Sequence, residues 1–222
     1  MSNILVIAPH PDDETLGCGG TLLRHIAEGD KVHWLIMTTI SDELDYSEKQ
    51  IYTRSLEIPK VSAAYGFSSV YQLDFITTLL DTYRRSDLIL NVSNIIKKLK
   101  PEIVYINYRD DVHSDHEIVF DTVASCTKSF RYPYIKKVRA YETLSETEFG
   151  IRPNSLGFRP NLWVNISAYI DRKIEIMNLY ESEVDHHPFP RGERNIRSLA
   201  AYRGATVGVD SAEAFISLKE YV

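Results

Sequence analysis

The sequence predicts an α/β protein: a mostly parallel sheet with helices on both faces, followed by a C-terminal elaboration. Three observations carry this expectation. Strand-like and helix-like segments alternate through most of residues 1–140, the pattern of a parallel sheet covered by crossover helices. The first strand-like run, Ile4 to Ala8, is apolar throughout and does not alternate, as expected for a strand buried on both faces. The 222 residues suffice for one domain, 1–222, with a sizeable core.

The elements follow in order. After Ile4–Ala8, the segment Thr15 to Glu28 reads as a helix with Leu16, Leu22, Leu23 and Ile26 apolar and Gly29 just past its end. Val32 to Thr39 is a second strand. Ser47 to Tyr65 is a helix closed by Gly66, with Pro59 arguing for a kink or break. Val70 to Leu73 is a short third strand. Ser86 to Leu99 is a helix stopped by Pro101, with Leu88, Ile89, Val92, Ile95 and Ile96 on its apolar face. Ile103 to Ile106, a helix from His116 to Lys128, and a strand from Lys137 to Tyr141 complete the alternation, a Rossmann-like arrangement. The last third differs. Phe158 to Ile166 reads as a strand, Tyr169 to Tyr180 and Asn195 to Tyr202 as helices, and the polar Asp185-His186-His187-Pro188 stretch as their connection.

Composition excludes several function classes. Net charge is −6, with 25% charged and 44% hydrophobic residues, so no general affinity for nucleic acid is expected. No apolar stretch is long enough to span a bilayer. The start lacks the basic residues and apolar length of a secretory signal, and two cysteines, Cys18 and Cys126, make no disulfide framework. A cytoplasmic protein is expected, with self-association left open.

The chemistry concentrates at two places. Ligands of open parallel sheets bind at the carboxyl ends of the strands. His10-Pro11-Asp12-Asp13-Glu14 follows the first strand directly, and His113-Ser114-Asp115-His116 lies shortly beyond the strand ending at Ile106. Imidazole and carboxylate ligands suit zinc, and a catalytic site takes three of them and leaves a position for water. His10, Asp13 and His116 would supply that set. Asp12 remains as general base toward the water. His113 could donate a hydrogen bond to a developing oxyanion, with Asp115 orienting it or holding it protonated. Taken singly, a loop histidine is usually solvated, and an Asp-Asp pair before a helix is usually an N-cap. Clustered on two strand ends, these residues point instead to a metal site.

The same residues resemble a known family. His10-Pro11-Asp12-Asp13-Glu14 with Thr15-Leu16-Gly17-Cys18-Gly19-Gly20-Thr21-Leu22 is similar to the signature of the PIG-L/LmbE-type N-acetylglucosaminyl deacetylases. His113-Ser114-Asp115-His116 resembles that family's second motif. Pro160 to Ser167, and Arg203-Gly204 through Ala212-Glu213-Ala214-Phe215, look like its bacterial members. The resemblance implies a Rossmann-like fold and zinc, or another divalent ion such as iron(II), on His10, Asp13 and His116. It also implies Asp12 as base, His113 as oxyanion donor, Asp115 as its partner, and an N-acetylated sugar conjugate as substrate. Arg54 and Glu57 match an Arg-x-x-Glu that the family often has, which would put Arg54 near the substrate. Arg109 and Asp81 are further substrate-contact candidates. Recognition of the sugar's conjugate is expected in residues 41–52, 75–85 and 143–157.

Other features carry less. Gly17-Cys18-Gly19-Gly20 lacks phosphate-loop spacing, so it reads as close helix–sheet packing around a buried Cys18. His186-His187 reads as a solvated loop. Two other functions remain open: the same machinery on a different acyl amide, and a non-catalytic α/β binding module. The second would call for a phosphate-binding glycine loop and has no need for His113 and His116 together.

Overall fold

The computed structural model describes residues 1–151 and 155–221. The strands are β1 (Asn3–Ala8), β2 (Lys31–Thr39), β3 (Ser69–Ile76), β4 (Ile103–Asn107), β5 (Lys137–Tyr141), β6 (Leu162–Asn165) and β7 (Ala212–Glu220). The helices are α1 (Asp13–Ala27), α2 (Glu48–Tyr65), α3 (Arg85–Leu99), α4 (Ser114–Ser125), α5 (Ile170–Met177) and α6 (Glu193–Ala205). Among the described residues, one seven-stranded sheet runs in the order β3-β2-β1-β4-β5-β7-β6. β1 to β5 pair in parallel, and β7 runs antiparallel between β5 and β6. Among the described residues no helix is long and apolar enough to cross a membrane.

The unalternating β1 has a simple cause. Ile4, Val6 and Ala8 enter one core together with residues of α1, α2, α5 and α6. Leu5 and Ile7 enter a second core with residues of α3 and α4. Both faces of the strand are covered, so every position is apolar.

Expectation and structure differ at three places. Pro59 lies inside an unbroken α2. It and Ser55, whose carbonyl loses its helical donor, are both exposed, where solvent can take that donor's place. The strand expected over Phe158–Ile166 shrinks to β6, because Pro160 lacks the N–H a ladder needs. The third difference is β7, to which the sequence pattern assigns no strand.

β7 matters to the site because it holds α1. That helix is interrupted at Cys18, where φ is −144°. The backbone N–H groups of Gly20 and Thr21 donate to Glu213 of β7 at 2.9 and 2.7 Å. Lys173 of α5 donates to Glu213 at 2.7 Å and to the carbonyl of Leu16 at 2.9 Å. The break thus exposes donors and an acceptor, and a buried ion pair satisfies both sides. Gly17 and Gly20 let the helix approach closely: a Cβ at Gly17 would meet the Tyr141 ring and the carbonyl of Glu142, and one at Gly20 would lie 2.8 Å from Ile166. Cys18 is buried and reduced, as the packing reading expects. Lys173→Met should therefore destabilise the fold by about 3–5 kcal/mol, because it strands a buried carboxylate. A shift in the denaturation midpoint measures it.

Candidate active site

The strand order reverses direction between β1 and β4, and a crevice opens at their carboxyl ends. The loop after β1 carries His10 to Asp13. The loop after β4 leads to His113 and the first turn of α4. Residues a hundred positions apart in the chain therefore meet because their strands are neighbours.

The centre is a set of three imidazoles and a carboxylate. One nitrogen of each of His10, His113 and His116 lies within 4.8 Å of those of the other two. Asp13 Oδ2 sits 3.3 Å from His10 Nδ1 and 3.3 Å from His116 Nε2. Hydrogen bonds fix which nitrogens face this point. His116 Nδ1 donates to Asp111 Oδ2 at 2.6 Å, and His10 Nε2 donates to Asp115 Oδ2 at 3.0 Å. Each bond leaves the opposite ring nitrogen toward Asp13. His116 Nε2 is buried with no hydrogen-bond partner. A buried imidazole lone pair without a donor is costly in a folded protein, and a divalent cation would satisfy it. Carboxylates behind two of the rings are the usual support of metal-bound histidine.

The electrostatics agree with that fit. Burial opposes charge on His10, but hydrogen bonds to Asp115 and Asp13 outweigh it and push its pKa up to about 9. Burial likewise opposes charge on His116, and Asp13 and Asp111 raise its pKa well above the ordinary histidine value. Burial works against ionised Asp13, yet His116 and His10 hold it well below the usual carboxylate range. The carboxylates favour positive charge at this point, whether carried by protons or by a cation.

His113 differs from the other two rings. It is the N-cap of α4, and its Nδ1 accepts the backbone N–H of Asp115 at 3.1 Å. Burial, then the nearby His10 and His116, pushes its pKa down to about 4. The ring is neutral with its proton on Nε2, a form suited to donating a hydrogen bond. The Asp115 carboxylate is not on His113, contrary to the sequence reading. It binds His10 and the backbone N–H of Thr78, the latter at 2.7 Å. The helix turn explains this: with the Asp115 backbone engaged by His113, its side chain points across to the β1 loop.

Asp12 is not a helix cap either. It occupies the N-cap position without a side-chain cap hydrogen bond, and its backbone adopts φ 131°. Such a conformation costs roughly 1–3 kcal/mol in a non-glycine residue. The buried Glu14 holds it, accepting the Asp12 N–H at 3.2 Å and the Tyr180 hydroxyl at 2.7 Å. The strain turns the Asp12 carboxylate into the cavity, where Arg191 Nη1 donates to it at 2.8 Å. Burial raises the Asp12 pKa well above the usual range even against the Arg191 charge.

The cavity above this centre measures about 150 Å3. Arg54 lines it and donates to the carbonyl of Pro11 at 2.9 Å. Each of the loops expected to recognise substrate contributes a residue: Tyr46, Thr77 with Thr78, and Glu146. Residues 152–154 of the last loop lie outside the described residues. Arg109 and Asp81 are not in the lining. Arg109 turns along α4 and is held by Asp121 at 2.8 Å, Glu117 at 2.7 Å and Asp110 at 3.1 Å. Asp81 lies exposed on the short turn Leu80–Thr82, whose buried residue is Leu80. His186 and His187 are exposed. Sequence reasoning missed Asp111, Glu146, Glu183 and Arg191. Asp111 sits five residues before His116, a spacing that could have drawn notice. Arg191 reaches Asp12 across 179 residues, and nothing local marks it.

A family model described as PIG-L, GlcNAc-PI de-N-acetylase, matches residues 5–127, a span that contains both His/Asp clusters. Diacetylchitobiose deacetylase of Thermococcus kodakarensis is 27% identical, the match covering 96% of this chain and 82% of that one. An uncharacterised deacetylase of Escherichia coli, YaiS, is 31% identical over 81% of this chain and 90% of its own length. A conserved protein of Thermus thermophilus superposes with a TM-score of 0.78 at 26% identity, covering 100% of this chain and 97% of that one. With its two motifs on adjacent strand ends of this sheet, the chain belongs to the PIG-L family.

Proposed function

We propose that the protein is a metal-dependent deacetylase that hydrolyses the acetamide of an N-acetylglucosamine-type sugar conjugate. The observation that carries this reading is the convergence of His10 Nδ1, Asp13 Oδ2 and the unpartnered His116 Nε2 on one point, with the Asp12 carboxylate on the adjacent residue. The family description and the deacetylase relatives support the reaction type. His10, Asp13 and His116 would hold a divalent ion, zinc by ligand chemistry and iron(II) as the alternative. Bound there, the ion supplies Lewis acidity toward the amide oxygen and lowers the pKa of water.

This chain's own residues do the rest. Asp12 takes a proton from the attacking water and passes one to the leaving amine. His113 donates from Nε2 to the oxygen that gains charge as the acetyl carbon becomes tetrahedral. Asp115 and Asp111 fix the faces of His10 and His116, and Arg191 holds Asp12 in the cavity. Arg54 forms part of the sugar-facing wall. Two buried free thiols suit the reducing cytosol. Metal analysis of the purified protein, with an amine-release assay on N-acetylated sugars, tests the reading. Stoichiometric metal with metal-dependent amine release is expected. Protein free of metal after purification and reconstitution would end it.

A further inference from the structure

The cavity is lined by uncharged residues and by charged residues that pair with one another. Thr38, Thr39, Gln72, Thr77 and Thr78 contribute uncharged residues to it, the Thr38 hydroxyl donating to the Pro9 carbonyl at 2.8 Å and the Thr78 N–H to Asp115 at 2.7 Å. Two arginines also line it, and both are already paired. Arg191 donates to Asp12 at 2.8 Å, to Glu183 at 2.6 Å, to Glu146 at 3.2 Å and to the Ser145 hydroxyl at 2.7 Å. Arg54 pairs with Glu57 at 3.1 Å and with Glu183. Glu183 thus bridges the two guanidiniums. Among the described residues, no lysine lines the cavity and neither arginine there lacks a carboxylate partner.

The balance of charge follows. The carboxylates of Asp12, Asp13, Glu146 and Glu183 outnumber the guanidiniums of Arg54 and Arg191 in the lining. Asp111 and Asp115 stand directly behind the imidazoles. A divalent cation on the ligand atoms would reduce this excess and not reverse it. An anionic group beside the sugar would therefore have to break a carboxylate–guanidinium pair or face a negative wall, and either costs binding energy.

We propose that the enzyme is selective for uncharged N-acetylated saccharides and discriminates against conjugates bearing a phosphate or carboxylate next to the sugar. Glu183 and Glu146 are the specificity-determining residues. This rests on the deacetylase reading and narrows its substrate class. The arginines act as internal struts of the wall, and their charge is consumed before substrate arrives. The threonines and Gln72 of the lining set no charge against a sugar hydroxyl.

The test compares N,N'-diacetylchitobiose with N-acetylglucosamine 1-phosphate, using the metal-loaded protein at low ionic strength. Amine release gives kcat/KM, and a ligand-observed NMR titration gives binding independently of turnover. The neutral sugar is expected to lead by about tenfold or more in both measurements, the scale of one unpaired charge near the wall. Salt should shrink the gap by screening. Glu183→Gln, which removes a negative charge and loosens both guanidiniums, should shrink it several-fold, and Glu146→Gln serves if that variant folds poorly. Equal or better handling of the phosphate ester, or a ratio that neither variant nor salt moves, overturns the proposal while leaving deacetylation intact. Amine release from neither compound would defeat the functional reading instead. In that case tighter binding of the neutral sugar still supports the selectivity, and equal or absent binding overturns it.

Discussion

Asp12→Asn is expected to lower kcat by about 10²–10⁴-fold, the usual contribution of a general base, with metal content and fold unchanged. A residue before a helix commonly turns its carboxylate onto the first free N–H groups. Asp12 does not, because φ 131° directs its side chain away from α1. Glu14 and Tyr180 sustain that strained turn from beneath. The gain is a buried carboxylate next to Asp13 and in the lining of the cavity. Burial raises its pKa, which makes it a better proton acceptor than a solvated aspartate. Asparagine keeps the volume and removes the proton-accepting oxygen. Steady-state amine release, paired with metal analysis and circular dichroism, separates the effects. Turnover close to that of the unsubstituted protein would remove Asp12 from the chemistry.

What the sequence revealed about this centre divides along the range of the interactions. The convergence of His10, Asp13 and His116 was legible because ligand-type residues cluster after strand ends, and strand ends can be read from apolar runs. Their meeting required only that β1 and β4 be neighbours, which the reversal of strand order provides. Asp115 was found and given the wrong partner. Proximity in sequence suggested His113, while the α4 turn sends its carboxylate to His10. Arg191 and Glu183 were invisible because they arrive from the chain's last third, through a loop without periodicity. β7 was missed for a related reason. Its pairing with β5 and β6 is long-range, and Glu213 within it answers a break in α1 that shows in the sequence only as a run of small residues. Arg109 illustrates the opposite error. Its position after β4 was suggestive, but carboxylates along α4 claim it first.

His116→Ala and His113→Ala should fail in different ways. His116 presents a buried, unpartnered Nε2 with Asp111 locking its tautomer. Losing this ring should weaken metal binding by more than about 100-fold, since disturbing only the support of a ligand already costs about 10–100-fold. Asp111→Asn should fall within that smaller range. His113 spends Nδ1 on the backbone of Asp115, and its low pKa keeps it a neutral donor. His113→Ala should retain metal near full stoichiometry and lose kcat by about 10²–10³-fold, as when an oxyanion donor is removed. Metal titration and kinetics on the same preparations give both numbers. The three imidazoles lie close enough that a trihistidine site is the direct rival to the set containing Asp13. Equal metal loss in His113→Ala and His116→Ala would favour that rival. Asp13 would then serve only to orient His10 and His116, and the oxyanion would need a donor from elsewhere on the cavity wall.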